Sequence, residues 1–175
     1  MSTAPLPIAA VVYPPTLDVG AVMRAAAAAL ASRGVAVGGV VTCDARDAPD
    51  ESCEMELEDV STGARFSITQ NLGSGSEACR LDPGALARAA VAVRHAIEDG
   101  AELVLFNKFG AQEAGGSGLR AEMGLAAARG TPLLTTVAER FVPDWQTFTG
   151  GDSTLLPPDV DAVLAWWQAV STARK

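Results

Sequence analysis

The sequence predicts an α/β fold with a doubly wound, mostly parallel sheet, helices on both faces in three layers, and a β-hairpin extension. Three observations predict it. Apolar strand-like runs at 8–12, 35–42, 103–106 and 132–137 alternate with helical segments. Each of three helical segments runs into a glycine, Gly34, Gly100 or Gly130, the usual left-handed stop. The run 103–106 is wholly apolar, as in strands covered on both faces. With 175 residues the chain suits one domain over 1–175 rather than two.

The elements follow in order. The β-branched run 8–12 discharges into Tyr13-Pro14-Pro15, and Asp18 then caps an alanine-rich helix over 19–33. A second strand covers 35–42. Residues 54–69 alternate in polarity around Ser61-Thr62-Gly63, which predicts a hairpin on a sheet edge. A Gly/Ser-rich loop over 71–77 leads through Cys79, Arg80 and Leu81 to Asp82-Pro83, an N-cap and first helical residue for a helix to Asp99. After the strand 103–106 a loop leads into a helix over 119–129, then the strand 132–137. The tail holds an amphipathic piece with Trp145 and Phe148, a Gly150-Gly151 break and a final helix from Asp159. Its aromatics, Trp145, Trp166 and Trp167, are read as core or as an oligomer seam.

Charge and composition exclude several function classes. With 13 Lys and Arg against 21 Asp and Glu, a net charge of -8, the chain lacks the basic surface that nucleic-acid binding needs. A small anion stays possible, because local donors act at short range. The 3 cysteines form no C-x-x-C pair and there is 1 histidine, so neither a zinc site nor a disulfide framework is expected. The N-terminus carries no basic signal-peptide region and no run is long enough to span a membrane, so a cytoplasmic location is expected.

Ligands of open α/β sheets bind beyond the carboxyl ends of the strands. The first loop there, Tyr13 to Asp18, contains two prolines and no lysine. It cannot form the G-x-x-x-x-G-K-[ST] phosphate cradle. The loop after the central strand is richer: Asn107-Lys108, then Gln112, Glu113, the turn Gly116-Ser117-Gly118, and Arg120 on a helix. Lys108 and Arg120 offer positive charge and the glycine-turn amides offer donors. The plainer alternative pairs both cations with Glu113 and Glu122. The loop 71–80 adds Ser74, Ser76, Cys79 and Arg80. Cys79 lies just before a helix start without a histidine base nearby in sequence, which leaves a structural role open to it.

The blocks NLGSGSEACRLDPGAL and LVLFNKFGAQEAGGSGLRAEM resemble the bacterial domain-of-unknown-function family 2478, over the chain up to about Gly151. The resemblance implies a fold like that of P-loop NTPases. More distantly the layout resembles the small nucleoside triphosphatases, which place an Asp-Glu pair where Asn107-Lys108 stand here. It also implies a neighbourhood of molybdate-uptake genes, hence a ligand such as molybdate or tungstate. Three functions are therefore expected in competition: a non-hydrolytic small-anion binder, a divergent nucleotide-binding enzyme in which Glu113 orients water, and a partner-binding, homo-oligomeric module.

Overall fold

In the computed structural model, residues 7–42, 56–67, 69–71, 79–81 and 83–173 are described. Nine strands form from them: β1 (Ile8–Tyr13), β2 (Val37–Thr42), β3 (Glu56–Asp59), β4 (Arg65–Ser67), β5 (Thr69–Asn71), β6 (Cys79–Leu81), β7 (Leu103–Leu105), β8 (Leu133–Ala138) and β9 (Thr154–Leu156). The helices are α1 (Val19–Ser32), α2 (Pro83–Glu98), α3 (Ala111–Ala114), α4 (Arg120–Arg129), α5 (Val142–Thr149) and α6 (Val160–Ala173).

Seven strands make one sheet in the order β4-β3-β2-β7-β8-β1-β9. The five from β2 to β9 in that order run parallel, and the hairpin β3-β4 extends the edge antiparallel to β2. The chain leaves β1 through α1 and reaches β2 beyond β8 and β7, so α1 and its crossover span the middle of the sheet. The mostly parallel sheet with an edge hairpin thus forms as the sequence predicts. β9 and the separate ribbon β5-β6 are additional to that prediction, since three-residue strands carry no readable period.

Alternation along the strands sorts the core into two layers. Ala9, Val11, Leu103, Leu105 and Leu134 face α1 and α6, where Met23, Leu30, Val163, Trp166 and Trp167 pack. Ala10, Val104, Leu133 and Val137 face α2, α4 and α5, where Ala89, Val93, Met123 and Trp145 pack. Each large apolar side chain so buried contributes about 1.5–3 kcal/mol. Gly39 makes the close approach of β2 to β7 possible: at φ +100 a Cβ there would overlap the Leu105 carbonyl.

The three tryptophans are buried within the chain, Trp145 completely, so they form core and not an oligomer seam. The packing of these rings inside one chain accounts for them without a second copy.

One buried group stands out in β8. The Thr135 hydroxyl is fully buried and has no hydrogen-bond partner among the described residues, whereas neighbouring Thr136 donates to the Asn107 carbonyl at 2.8 Å. Thr135→Val keeps the shape and removes the unsatisfied hydroxyl, so it is expected to stabilise the fold by about 1 kcal/mol. The midpoint of urea unfolding checks this. A lower midpoint would mean that a buried water satisfies the hydroxyl.

Candidate functional site

The carboxyl end of the central strand is interrupted by a bulge. Phe106 N–H donates to the Leu134 carbonyl at 2.9 Å, and the next ladder bond runs from Phe109 N–H to the Thr136 carbonyl at 2.8 Å. Three residues on this strand therefore match two on β8. The surplus is taken up by Asn107-Lys108, which leave the sheet edge together. Phe109 then pairs with Val137 and is buried against Trp145, with ring centroids 5.2 Å apart, and against Phe148 at 5.5 Å. Asn107 and Lys108 are half-buried, and among the described residues no carboxylate pairs with Lys108. The Lys108 stem lies across the bare Gly110, its Cε 3.5 Å from where a Cβ would stand.

The following loop closes on itself. Glu113, 5% exposed, sits three residues into the turn that starts at Gly110. Its Oε1 accepts from Gly110 N–H and its Oε2 from Leu119 N–H, each at 2.9 Å. Gly118, at φ +62, leaves room for that carboxylate: a Cβ would overlap Oε2. Arg120 turns inward, its Nη1 donating to the Glu113 carbonyl at 3.0 Å while its guanidinium lies 4.8 Å above the Phe148 ring. The Ser117 hydroxyl donates to Gln112 Oε1 at 2.8 Å.

Several expectations for this loop are corrected accordingly. Gly116 and Ser117 N–H groups donate to the Glu113 and Gln112 carbonyls, so the glycine turn does not offer them to an anion. Neither cation pairs with Glu113 or Glu122 through a carboxylate. Glu122 binds Arg94 of α2 at 3.3 Å instead. Glu113, whose carboxylate is engaged by two amides, is not placed to orient water.

Of the other candidates, Ser74 and Ser76 lie outside the described residues, as does Asp82. Cys79 and Arg80 belong to β6, opposite Asn71 and Gln70 of β5, where the sequence reading had a loop. The site residues thus divide: Asn107 and Lys108 emerge together at the sheet edge, and Gln112, Glu113, Ser117, Gly118 and Arg120 build the support beneath the loop.

The first crossover carries an acidic cap. Asp18 Oδ1 accepts from Ala21 N–H at 3.3 Å and caps α1, so a carboxylate occupies the helix N-terminus that a phosphate loop would hold open. Arg24 reaches back to Asp18 at 3.8 Å and donates to the Thr42 carbonyl at 2.7 Å. A cation missed in the sequence reading is Arg140, in the turn that follows β8. It acts on Tyr13, the last residue of β1, whose neighbour in register is Ala138. The available signal was positional: Arg140 directly follows a strand at its carboxyl end.

Burial raises the Tyr13 hydroxyl pKa above its ordinary 10.0, and Arg140 partly opposes this. A raised acid pKa means that the folded state holds its proton longer than the unfolded chain. Tyr13 therefore supports the fold below pH 10 and loses that contribution as pH rises through its folded value. Because the chain has 1 tyrosine, phenolate absorbance reports it alone. Its midpoint is expected above 10 and higher still in Arg140→Ala, and Tyr13→Phe should flatten the alkaline loss of stability.

One cavity of about 190 Å³ lies between α1 and the β2-β3 edge, lined by Arg24, Val41 and Glu58, and two others lie at the amino ends of the strands. One of about 370 Å³ is lined by Glu102, Arg129 and Trp167, and one of about 560 Å³ by Gly38, His95 and Asp99. No group of three or more His, Cys, Asp or Glu among the described residues is placed to hold a metal, and no described helix is long and apolar enough to cross a membrane.

The sheet order defines a doubly wound, mostly parallel α/β protein with an edge hairpin, whose first crossover has no G-x-x-x-x-G-K-[ST] loop. The chain belongs to the family described as protein of unknown function DUF2478, whose model matches residues 8–166. It is 40% identical over 168 residues to the molybdenum import ATP-binding protein ModC 2 of Bradyrhizobium diazoefficiens. That match covers 96% of this chain and 19% of the relative, so the chain spans about a fifth of that protein's length. The fold is similar to that of THEP1 from the hyperthermophile Aquifex aeolicus, with a TM-score of 0.64, 10% identity, and coverage of 96% of this chain and 99% of that one.

Proposed function

We propose that this chain is a non-hydrolytic binder of a small oxyanion, molybdate or tungstate, on a P-loop-like fold. The bulge carries the reading: it places Lys108, half-buried and without a carboxylate partner among the described residues, beside Asn107 at the carboxyl end of the central strand. An ammonium there is matched to a tetrahedral dianion, and partial burial strengthens the attraction. Arg80, Ser74 and Ser76 are assigned to the same shell from sequence position alone. Arg120 acts through the loop that it braces. That the relative from Bradyrhizobium is a molybdenum import protein favours molybdate over sulfate or phosphate.

A second reading, a divergent nucleotide-binding enzyme, is favoured because that same relative is an ATP-binding protein. Against it stand the Asp18 cap on α1, the missing lysine loop and the engaged Glu113 carboxylate. A thermal-shift screen against molybdate, tungstate, sulfate, phosphate, ATP and GTP, with and without magnesium, separates them, because a ligand of the native state raises Tm by mass action. A shift with molybdate or tungstate alone is expected. A shift that needs nucleotide and magnesium would replace the anion reading, and no shift at all would leave the partner-binding module.

A further inference from the structure

Glu113 is a nearly buried carboxylate that forms no ion pair among the described residues, and its contacts explain why it is there. Its two oxygens accept from Gly110 and Leu119, the residues that bracket the loop 110–119, at 2.9 Å each. The first of these amides lies two residues beyond Lys108, and the Lys108 stem runs over the same glycine, with Glu113 Oε1 3.8 Å from the position of a Cβ there. Gly118 is matched to the carboxylate, since any Cβ would occupy the place of Oε2. Arg120 locks the arrangement from below by binding the Glu113 carbonyl and stacking on Phe148, which in turn stacks on Phe109 at the end of the bulge. Loop and aromatic cluster are thus fastened to the chain just beyond Asn107-Lys108, at Phe109 and Gly110.

We infer that Glu113 is the positioning residue that presets the Asn107-Lys108 bulge, holding the backbone that carries Lys108 in its binding geometry before any ligand arrives. The inference rests on the anion-binding reading for its functional consequence, and on the two amide bonds for its structural one. Preorganisation of this kind favours affinity by lowering the ordering cost of binding. A carboxylate can accept both amides at once, whereas the amide of glutamine presents one acceptor and one donor to them. Glu113→Gln therefore keeps size and shape while releasing one end of the loop.

The test compares wild type, Glu113→Gln and Glu98→Gln by backbone NMR relaxation and by calorimetric titration with sodium molybdate. In wild type the Asn107 and Lys108 amides are expected to be rigid, with order parameters of about 0.85, and in Glu113→Gln to fall toward about 0.6. Exchange of the Gly110 and Leu119 amides should quicken by about tenfold or more. Molybdate affinity should weaken by about tenfold, in line with one lost amide bond. Glu98→Gln, the same change at an exposed position at the end of α2, should behave as wild type. If Glu113→Gln does not fold, Glu113→Asp, which keeps the charge but draws the carboxylate back from both amides, takes the same measurements.

Unchanged order parameters at Asn107 and Lys108 would overturn the inference whatever molybdate does. Loosened amides with unchanged molybdate affinity would also overturn it, because the bulge would then not need presetting. If the wild type does not bind molybdate, the proposed function fails by itself, and the relaxation data still decide whether Glu113 holds the bulge.

Discussion

Trp145→Ala is expected to destabilise the protein by about 3–5 kcal/mol, the range for deleting a large aromatic side chain from a closed core. Trp145 is fully buried, packs edge-on against Phe109 and lies 6.0 Å from Phe148. Its Nε1–H donates to the Ser153 hydroxyl at 2.9 Å, tying α5 to the segment that leads into β9. Alanine leaves a cavity bordered by aromatic rings that are themselves held by the sheet, so little collapse can offset the loss. For a chain of this size the melting temperature should fall by about 10 °C or more. Trp145→Phe, which keeps a ring and loses the Ser153 bond, should cost distinctly less. Denaturant midpoints at several protein concentrations check both points. A loss that vanished on dilution would return Trp145 to a subunit seam, whereas burial within one chain predicts the same loss throughout.

This substitution also reaches the candidate site, because Phe109 is shared. The ring that fills the pocket beside Trp145 belongs to the residue that re-enters the ladder after Asn107-Lys108. Packing and site are therefore coupled through a single side chain. Molybdate affinity in Trp145→Phe should track the order of the bulge more closely than overall stability.

How much of this was legible in the sequence depended on how local the cause was. The α1 cap at Asp18 and the stops at Gly34 and Gly130 are set by single residues and their neighbours, and they form where expected. The wholly apolar run 103–106 marked the central strand, since only a strand covered on both faces needs such a run. β9 escaped notice because three residues carry no period; its register is supplied by Ala9, Ala10 and Val11 of β1, more than 140 residues away. The bulge escaped for a different reason. An extra residue exists only relative to the partner strand, and nothing in Phe106-Asn107-Lys108-Phe109 counts the residues of β8.

Glu113 was misplaced for want of one local reading. A glutamate three residues after Gly110 has the spacing of a capping box, in which the third residue reaches back to the N-cap amide. That spacing was available, but an acid close to two cations is more readily taken as their partner or as a ligand. The competing cause was burial. Once Gly118 removes its side chain from the path, the carboxylate gains two amide donors, which a surface ion pair worth 1 kcal/mol or about that would not match.

Lys108→Met is expected to weaken molybdate binding by about ten- to a hundredfold, the equivalent of one charge-assisted hydrogen bond worth about 1.5–3 kcal/mol. Methionine retains most of the apolar stem that crosses Gly110 and removes only the charge, so the fold should lose no more than about 0.5 kcal/mol. Lys108→Arg keeps the charge but spreads it over a planar fork that does not fit the place of a compact ammonium, and an intermediate affinity is expected. Binding to wild type should also weaken as salt rises, and less steeply in Lys108→Met, because an exposed part of the attraction is screened within about 8–10 Å. Calorimetric titration with molybdate at two ionic strengths reads all of these. Equal affinity in wild type and Lys108→Met would remove Lys108 from the shell and with it the bulge as the site, since Asn107 alone brings no charge to hold a dianion against a protein of net charge -8.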